Sequence, residues 1–581
     1  MYKYDLSKKL KEYSFNDFKI KYLYDNNDNI VSRKIRLNNL EYNMNNTYND
    51  TDLIIQTTFD NNTVSYQYDS LDRLIQNKFN SFTYKNKGRR TSLLIETITN
   101  PLGIFRYEYD SLNNITHIYQ NGTLRNQYYY DKYNQLIRED DYITSKTIKY
   151  QYDLSGNILS KKICQLISDT LISQKNYEYT NSNWNDLLTE YDNKQITYDQ
   201  IGNPLSIGND SLTWNNGRQL ASYNNIQFKY NKDGLRISKT IGNDEILYYL
   251  EESNILIEKR NNNVIYYLYS DVDDLLGFKY NDTLYYYIKN VQNDIIAITD
   301  SNNNIIAKYE YDSWGNIISI KDNYDVDITN PNHIALINPF RYRSYYYDSE
   351  TNLYYLNSRY YSPEFGRFIN ADGIINSNND ILSYNLFIYS ANNPINIIDY
   401  TGKFGVISLT AFGATLLKTV IVSAAVYCLK DTFTAIAGDI IGTVRTGVSK
   451  NNSKTDNAVS EPKVKSQPDI KIVTSSIPLV TTDYYEHTIS KPCTKAHIDN
   501  ISKNVIRGSR LTIAESINWV RTSHDVMCDY KFDAETVALG ASVDGRIMEH
   551  QAHHNGAPGY YPHYHDSTSK NHQHIWYLYP Y

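Results

Sequence analysis

Several things that would classify this chain quickly are missing from it. Cysteine is nearly absent: Cys164, Cys428, Cys493 and Cys528 lie far apart with no CxxC pair. A disulfide framework and a zinc ribbon are therefore excluded, and buried thiols are the reading that remains. Proline and glycine are few, 13 and 24 in 581 residues, an unusual balance for a globular enzyme. No strong basic excess exists in either part of the chain. The net charge is −7 overall, which divides into −8 for residues 1–403 and +1 from Phe404 onward. That argues against a general nucleic-acid coat. The amino terminus, MYKYDLSKKLKEYSF, has no apolar run behind its charges and is not a Sec signal peptide. Export would then use a non-Sec or upstream-encoded route, as expected for the carboxyl-terminal part of a longer system.

What the chain has in quantity is tyrosine, 59 residues of it, with asparagine abundant throughout. Tyr-Asp pairs recur after an alternating aromatic, as in Tyr66/Tyr68-Asp69, Tyr107/Tyr109-Asp110, Tyr128/Tyr130-Asp131, Tyr150/Tyr152-Asp153 and Tyr309/Tyr311-Asp312. The second-Tyr positions 24, 68, 109, 130, 152 and 198 are separated by one or two multiples of a unit near 21–22 residues, the mark of a repeat architecture. Alternation puts both rings of YxYD on one face of a strand. The Asp then opens a turn through its side chain, and a Gly or Asn two or three residues on supplies positive φ. Each period fits one β-hairpin, and an isolated hairpin is marginal, so neighbours must pair into a long sheet. Residues 20–400 are predicted as one winding sheet with most rings inward. A flat, tyrosine-rich adhesive solenoid is the alternative.

The segment Asn338-Pro-Phe-Arg-Tyr-Arg-Ser-Tyr-Tyr-Tyr-Asp348, continued by Leu353-Tyr-Tyr-Leu-Asn-Ser-Arg359-Tyr-Tyr-Ser-Pro363-Glu-Phe-Gly366-Arg367 and Asn385-Leu-Phe-Ile-Tyr389-Ser-Ala-Asn-Asn-Pro394, resembles the repeat-associated core of the Rhs/YD-repeat proteins. Together with the upstream units the resemblance covers roughly residues 20–403. Bacterial Rhs proteins, the C components of insecticidal toxin complexes and teneurins share this core. It implies a mostly β fold, a hairpin shell or cocoon over 1–337 closed by the core at 338–403, which encloses a variable carboxyl-terminal toxin. It also implies a role for two residues that would otherwise be ordinary turn aspartates. Asp372 and Asp399 stand where self-cleaving members carry a catalytic pair, one acting as base on water and the other as acid to the leaving amine. The scissile bond would lie just past Gly402, between Lys403 and Phe404. Departures from the family pattern are Tyr400 for Pro, Lys403 for Leu, and Gly373 after the first Asp.

Beyond the core, residues 404–448 open with a mostly apolar stretch, 404–429, predicted as helix. Lys418 falls in its middle, where burying a charge at a bilayer centre costs about 2.5–3.5 kcal/mol. A helix buried within the shell is preferred to transient membrane contact. Residues 449–475 read as a polar linker, which leaves 476–581 as a small α+β module. Helices are predicted over 512–522 and 534–541, with strands over 525–530, 560–565 and 572–579.

Ten of the twelve histidines follow Tyr485. If the last two strands pair, His563 and His565 share a face with imidazoles of the partner strand, His574 among them. Such a face suits two chemistries. Paired imidazoles can act as base on a ribose 2′-OH and acid to the departing 5′-oxygen. Alternatively His563, His565 and His574 bind Zn²⁺ or another divalent ion that activates water. His550 is the weaker candidate, brought back over the hairpin by the Gly556–Gly559 turn. His550 and His554 also have i, i+4 spacing, but Gln551 occupies the place of the Glu a zinc protease needs. A solvated polar hairpin without chemistry is the bland alternative. The tail also resembles carboxyl-terminal modules of bacterial polymorphic toxins. The combined reading is a secreted or surface-delivered toxin of intercellular competition whose effector cleaves RNA and is matched by a cognate immunity protein. Its rival is a wall- or surface-associated binding protein without enzymatic activity.

Overall fold

The computed structural model describes residues 2–5, 9–87, 90–270, 273–373 and 381–403, and beyond these the backbone of seven strands. Two compact units divide the chain, Met1–Tyr427 and Cys428–Tyr581.

The repeat works through its turn. In the unit ending at Tyr109, Tyr107 is fully buried, and Asp110 then caps the corner. Its Oδ1 accepts from the backbone N–H groups of Leu112 and Asn114 at 2.9 and 2.8 Å, while Oδ2 accepts from Asn114 Nδ2 at 2.9 Å. Asn113, at φ 66°, makes the left-handed step. In the unit ending at Tyr152 that step falls to Gly156 at φ 79°. The second Tyr of each unit does more than fill space. Its hydroxyl reaches back to the preceding repeat: Tyr109 to the Ile95 carbonyl (2.6 Å), Tyr130 to Ile115 (2.7 Å), Tyr152 to Leu136 (2.6 Å) and Tyr311 to Ile295 (2.9 Å). A buried phenol without such an acceptor would lose about 1–3 kcal/mol. The aromatic that gives the sheet its core thus also stitches each unit to the last.

The expectation of one sheet over 20–400 needs correction. Strands from Tyr2 to Ser65 form a seven-stranded antiparallel meander, and those from Gln67 to Lys321 pair in succession and close into a barrel. The core segment leaves that ladder. Its strands β1 (Tyr346–Asp348), β2 (Leu353–Leu356), β3 (Arg359–Ser362) and β4 (Arg367–Phe368) make a small sheet of their own. They are predominantly buried because the core is wrapped by the repeats instead of extending them. Asp348, at the end of β1, is fully buried and accepts from Arg236 Nη1 at 2.6 Å and Lys239 Nζ at 2.9 Å, both on a barrel strand.

A row of asparagines fixes the core to three successive turns. Asn385 Nδ2 donates to Asn157 Oδ1 (2.8 Å), Asn392 Nδ2 to Gln135 Oε1 (2.8 Å) and Asn393 Nδ2 to Asn114 Oδ1 (3.1 Å). Asn396 Oδ1 accepts from the Ile115 N–H at 2.7 Å. Each contact reads the residue four places after a repeat's Asp, or the one that follows it.

One buried acid works against the fold. Burial, with the charges of Asp312 and Asp141 nearby, pushes Glu139 up to about 8 from its usual 4.5. The stability this group contributes is complete below pH 4.5 and lost as pH rises through about 8. Glu139→Gln is therefore expected to melt close to the parent at acid pH and several degrees above it in alkaline buffer. Thermal denaturation by circular dichroism at both pH values checks this.

Past the core, β5 (Ile397–Ile398) pairs with β6 (Val406–Ile407). Val406–Ile407, inside the stretch predicted as helix, therefore lies in a strand instead, paired with the edge that β5 offers. The rest of 404–429 and the linker at 449–475 lie outside the described residues. Among the described residues no helix is long and apolar enough to cross a membrane.

In the second unit six strands form one sheet. They are β7 (Cys493–Ile498), β8 (Val505–Leu511), β9 (Asp525–Tyr530), β10 (Ile547–His550), β11 (His563–Asp566) and β12 (Ile575–Tyr579), in spatial order β8-β7-β9-β12-β11-β10. Only β9 and β12 run parallel. Three of these strands match the sequence-based prediction, three do not appear in it, and both predicted helices lie outside the described residues.

Candidate functional site

The two aspartates, 27 residues apart in sequence, meet at one guanidinium. Asp372 follows β4, its N–H donating to the Leu386 carbonyl at 2.8 Å while its neighbour Ala371 donates to Gly202 O at 3.0 Å. Asp399 follows β5, its N–H bonded to the Tyr345 hydroxyl at 3.0 Å. Arg359, the first residue of β3, brings Nη2 to 3.1 Å from Asp372 Oδ2 and 3.3 Å from Asp399 Oδ2. The two oxygens can be no farther apart than those distances laid end to end, and it is the guanidinium that joins them. The Arg359 guanidinium carbon itself lies over the Phe368 ring, 3.5 Å from its centre.

The electrostatics divide the pair. Asp399 is 1% exposed, and burial, reinforced by the charge of Asp372 and opposed by Arg359, pushes it up to about 6. A buried carboxyl that keeps its proton in mildly acid conditions, beside a second carboxylate, can act as an acid next to a base.

The chain just past Asp399 is gripped from both sides. Asp399 Oδ1 accepts from the N–H groups of Thr401 (3.3 Å) and Lys403 (3.2 Å). Ser358 Oγ lies 2.8 Å from the Thr401 carbonyl and 2.7 Å from that of Gly402, which also accepts from Arg359 Nε. Gly402 has φ 68°, and a Cβ there would meet Leu356 O at 2.5 Å. Only glycine fits. Sequence reasoning singled out the aspartates and passed over Arg359 and Ser358, although both stand in the quoted core motif. An Asn-Ser-Arg at a hairpin tip carries no local sign that its Arg will be buried.

In the second unit the strand register places the histidines. β10 pairs antiparallel with β11 so that His550 stands opposite His563 and Met548 opposite His565. β11 pairs with β12, where His563 is opposite Trp576 and Tyr564 opposite Ile575. Residues directly opposite share a face, so His550, His563 and Trp576 form one row across three strands, with His565 one step along. The predicted pairing of the last two strands is present, but the rung facing His563 is Trp576. His574 lies outside the described residues, as does the 556–559 turn, and His550 arrives as a paired edge strand. Among the described residues no group of three or more His, Cys, Asp or Glu is arranged to hold a metal ion.

No family model matches the chain. Its sequence is 32% identical over 286 residues to the tRNA3(Ser)-specific nuclease WapA of Bacillus spizizenii and 33% identical over 286 residues to the tRNA nuclease WapA of Bacillus subtilis. Each match covers 47% of this chain and 12% of the relative, so the chain spans about an eighth of the length of these curated proteins. Among solved structures, the crystal structure of TcdB2-TccC3-TEV aligns over 67% of this chain and 22% of its own, with a TM-score of 0.50 and 16% identity. The chain is thus similar over about half its length to two tRNA nucleases of Bacillus, and shares its β-rich fold with TcdB2-TccC3.

Proposed function

We propose that residues 1–403 are the shell of a toxin that severs itself from its carboxyl-terminal cargo, and that the cargo, 476–581, is a nuclease acting on RNA. The observation that carries the release is the buried Asp372–Arg359–Asp399 cluster, bonded to the backbone at the point where the core ends. Support for RNA comes from the nuclease relatives and from the row His550–His563–Trp576. Two imidazoles on neighbouring strands can serve one phosphodiester as base and acid. Trp576, opposite His563 in the register, is of the residue type on which a base of single-stranded RNA stacks. His565, together with His574, would complete the site or share a divalent ion, with Zn²⁺ the natural choice for imidazole ligands.

A cognate immunity protein and delivery to the cell surface or outside it accompany this reading, since a producer must survive its own nuclease. The test is expression of the full chain in a bacterium from an inducible promoter, with growth and total RNA followed together. Growth arrest with discrete tRNA cleavage, relieved by co-expressing the neighbouring open reading frame, is the expected result. Normal growth and intact RNA, with the protein soluble and severed, would instead favour the surface-binding alternative.

A further inference from the structure

We infer that the histidine row is one end of a track for single-stranded RNA laid across the strands of the second unit, and that Arg507 and Arg510 hold backbone phosphates at its other end. The inference rests on the nuclease reading above and adds the residues that bind the strand away from the cut.

The strand register carries it. His550 stands opposite His563, and His563 opposite Trp576. The same rung continues, for Trp576 is level with Met527 on β9, Met527 is opposite Thr494 on β7, and Thr494 is opposite Arg510 on β8. One rung thus crosses all six strands, from His550 on one edge strand to Arg510 on the other. Residues level with each other on neighbouring strands belong to one face. Two imidazoles and a guanidinium therefore occupy the same face at opposite edges of the sheet.

A bulge adds the second cation. After the pair Thr494–Arg510 the register shifts, and the next pair is Ala496–Arg507. Three steps along β8 answer two along β7. In a regular strand, residues three apart fall on opposite faces. The extra residue returns Arg507 to the face of Arg510, as bulges beside functional sites do. The rung of Arg507 also contains Asp525, on β9, whereas the rung of Arg510 contains no carboxylate. Arg510 is accordingly the stronger phosphate contact of the two.

Composition separates the faces as well. One step along, Leu511, Cys493, Cys528 and Tyr577 make an apolar rung across four strands, and alternation assigns it to the other side. That is the makeup of a packing face. The rung of Arg510 has instead what a single-stranded polyanion needs. It offers a planar fork for phosphate oxygens, an indole for a base and imidazoles for the scissile phosphodiester. Neighbouring strands lie ~4.8 Å apart, so six of them span about 24 Å, well beyond the reach of a dinucleotide.

The test compares the full chain on two substrates, a dinucleotide and a single-stranded RNA of about ten nucleotides, long enough to cross the sheet. The parent should show a kcat/KM for the longer RNA at least about tenfold above that for the dinucleotide. In the Arg507→Ala, Arg510→Ala double variant that ratio should fall about tenfold, chiefly through KM for the longer RNA. Affinity for that RNA is then measured against salt in a His563→Ala chain, which removes cutting. Losing each arginine should lower the slope of log affinity on log salt by about 0.7, while Arg510→Lys, which keeps the charge, should leave the slope as it was. A merely structural role would not move that slope. A parent that cuts both substrates equally well, or arginine variants that lose both in equal measure or keep the parental salt slope, would overturn the track and leave the nuclease standing. A parent that cuts neither would overturn the nuclease reading itself.

Discussion

Asp399→Asn protein is expected to run as one full-length chain under conditions in which the parent separates into two. An amide cannot deliver the proton that the departing nitrogen needs, so the loss should be at least about a thousandfold. Asp372→Asn should fail equally, for want of the base. The parent's own pH dependence follows from the position of Asp399. Its carboxyl must hold a proton, and with its pKa near 6 the cleavage rate should fall as pH rises beyond that value. Stability moves in the same sense. A carboxyl raised from 3.8 to about 6 contributes stability that is complete below 3.8 and lost as pH climbs through 6. Two units correspond to roughly 3 kcal/mol. Asp399→Asn removes that titration, so its melting temperature should decline less than the parent's between acid and neutral pH. Differential scanning calorimetry beside a cleavage gel measures both. Fragments from the Asn variant at the parental rate would assign the cut to other residues.

The second large effect concerns the histidine row. His563→Ala is expected to abolish growth arrest and to lower RNA cleavage by the purified chain about 10²–10⁴-fold. His550→Ala should do nearly the same, because the register gives His563 that residue as its direct neighbour. Under the earlier sequence expectation, with His574 as the partner, His550→Ala would be mild. Comparing the two variants therefore tests the strand order along with the chemistry. Chelation separates the remaining possibilities: loss of activity in EDTA restored by Zn²⁺ indicates a metal-bound water, and indifference indicates acid–base cleavage by imidazole. If the His563→Ala, His565→Ala double variant cuts RNA as the parent does, the row is structural.

How far the sequence could be read depended on whether a feature was local. The YxYD unit carries its own instructions, alternation for the strand and Asp with Asn or Gly for the turn, and the barrel repeats them faithfully. The reach of Tyr109 to Ile95 was hidden because it concerns which repeat comes before, not what is in the unit. Likewise Asp372 and Asp399 could be named from their motifs, whereas Arg359 becomes their common partner only when β3 is laid beside the chain that follows β5. The separation of the core from the winding sheet could be read only from the resemblance, which set it at 338, since its Tyr-rich hairpins share the composition of the repeats around them. In the second unit, period-two alternation put His563 and His565 on one face, but no local signal says that the strand ending at His550 pairs beside them. Nor does chain spacing suggest that Cys493 stands opposite Cys528.

The asparagine row gives the core an unusual independence from what lies downstream. Residues 385–396 grip turns more than two hundred positions earlier, so this lid can be seated only after the early repeats exist to receive it. Loop closure over such a span is slow and is completed late. Self-severance would accordingly wait for a finished container, because Asp399 follows directly on the seated segment. Were the chain cut there, every asparagine contact would remain. Among the described residues, the short ladder between Ile397–Ile398 and Val406–Ile407 would still bridge such a cut, a latch of two rungs beside a lid held by a far longer seam.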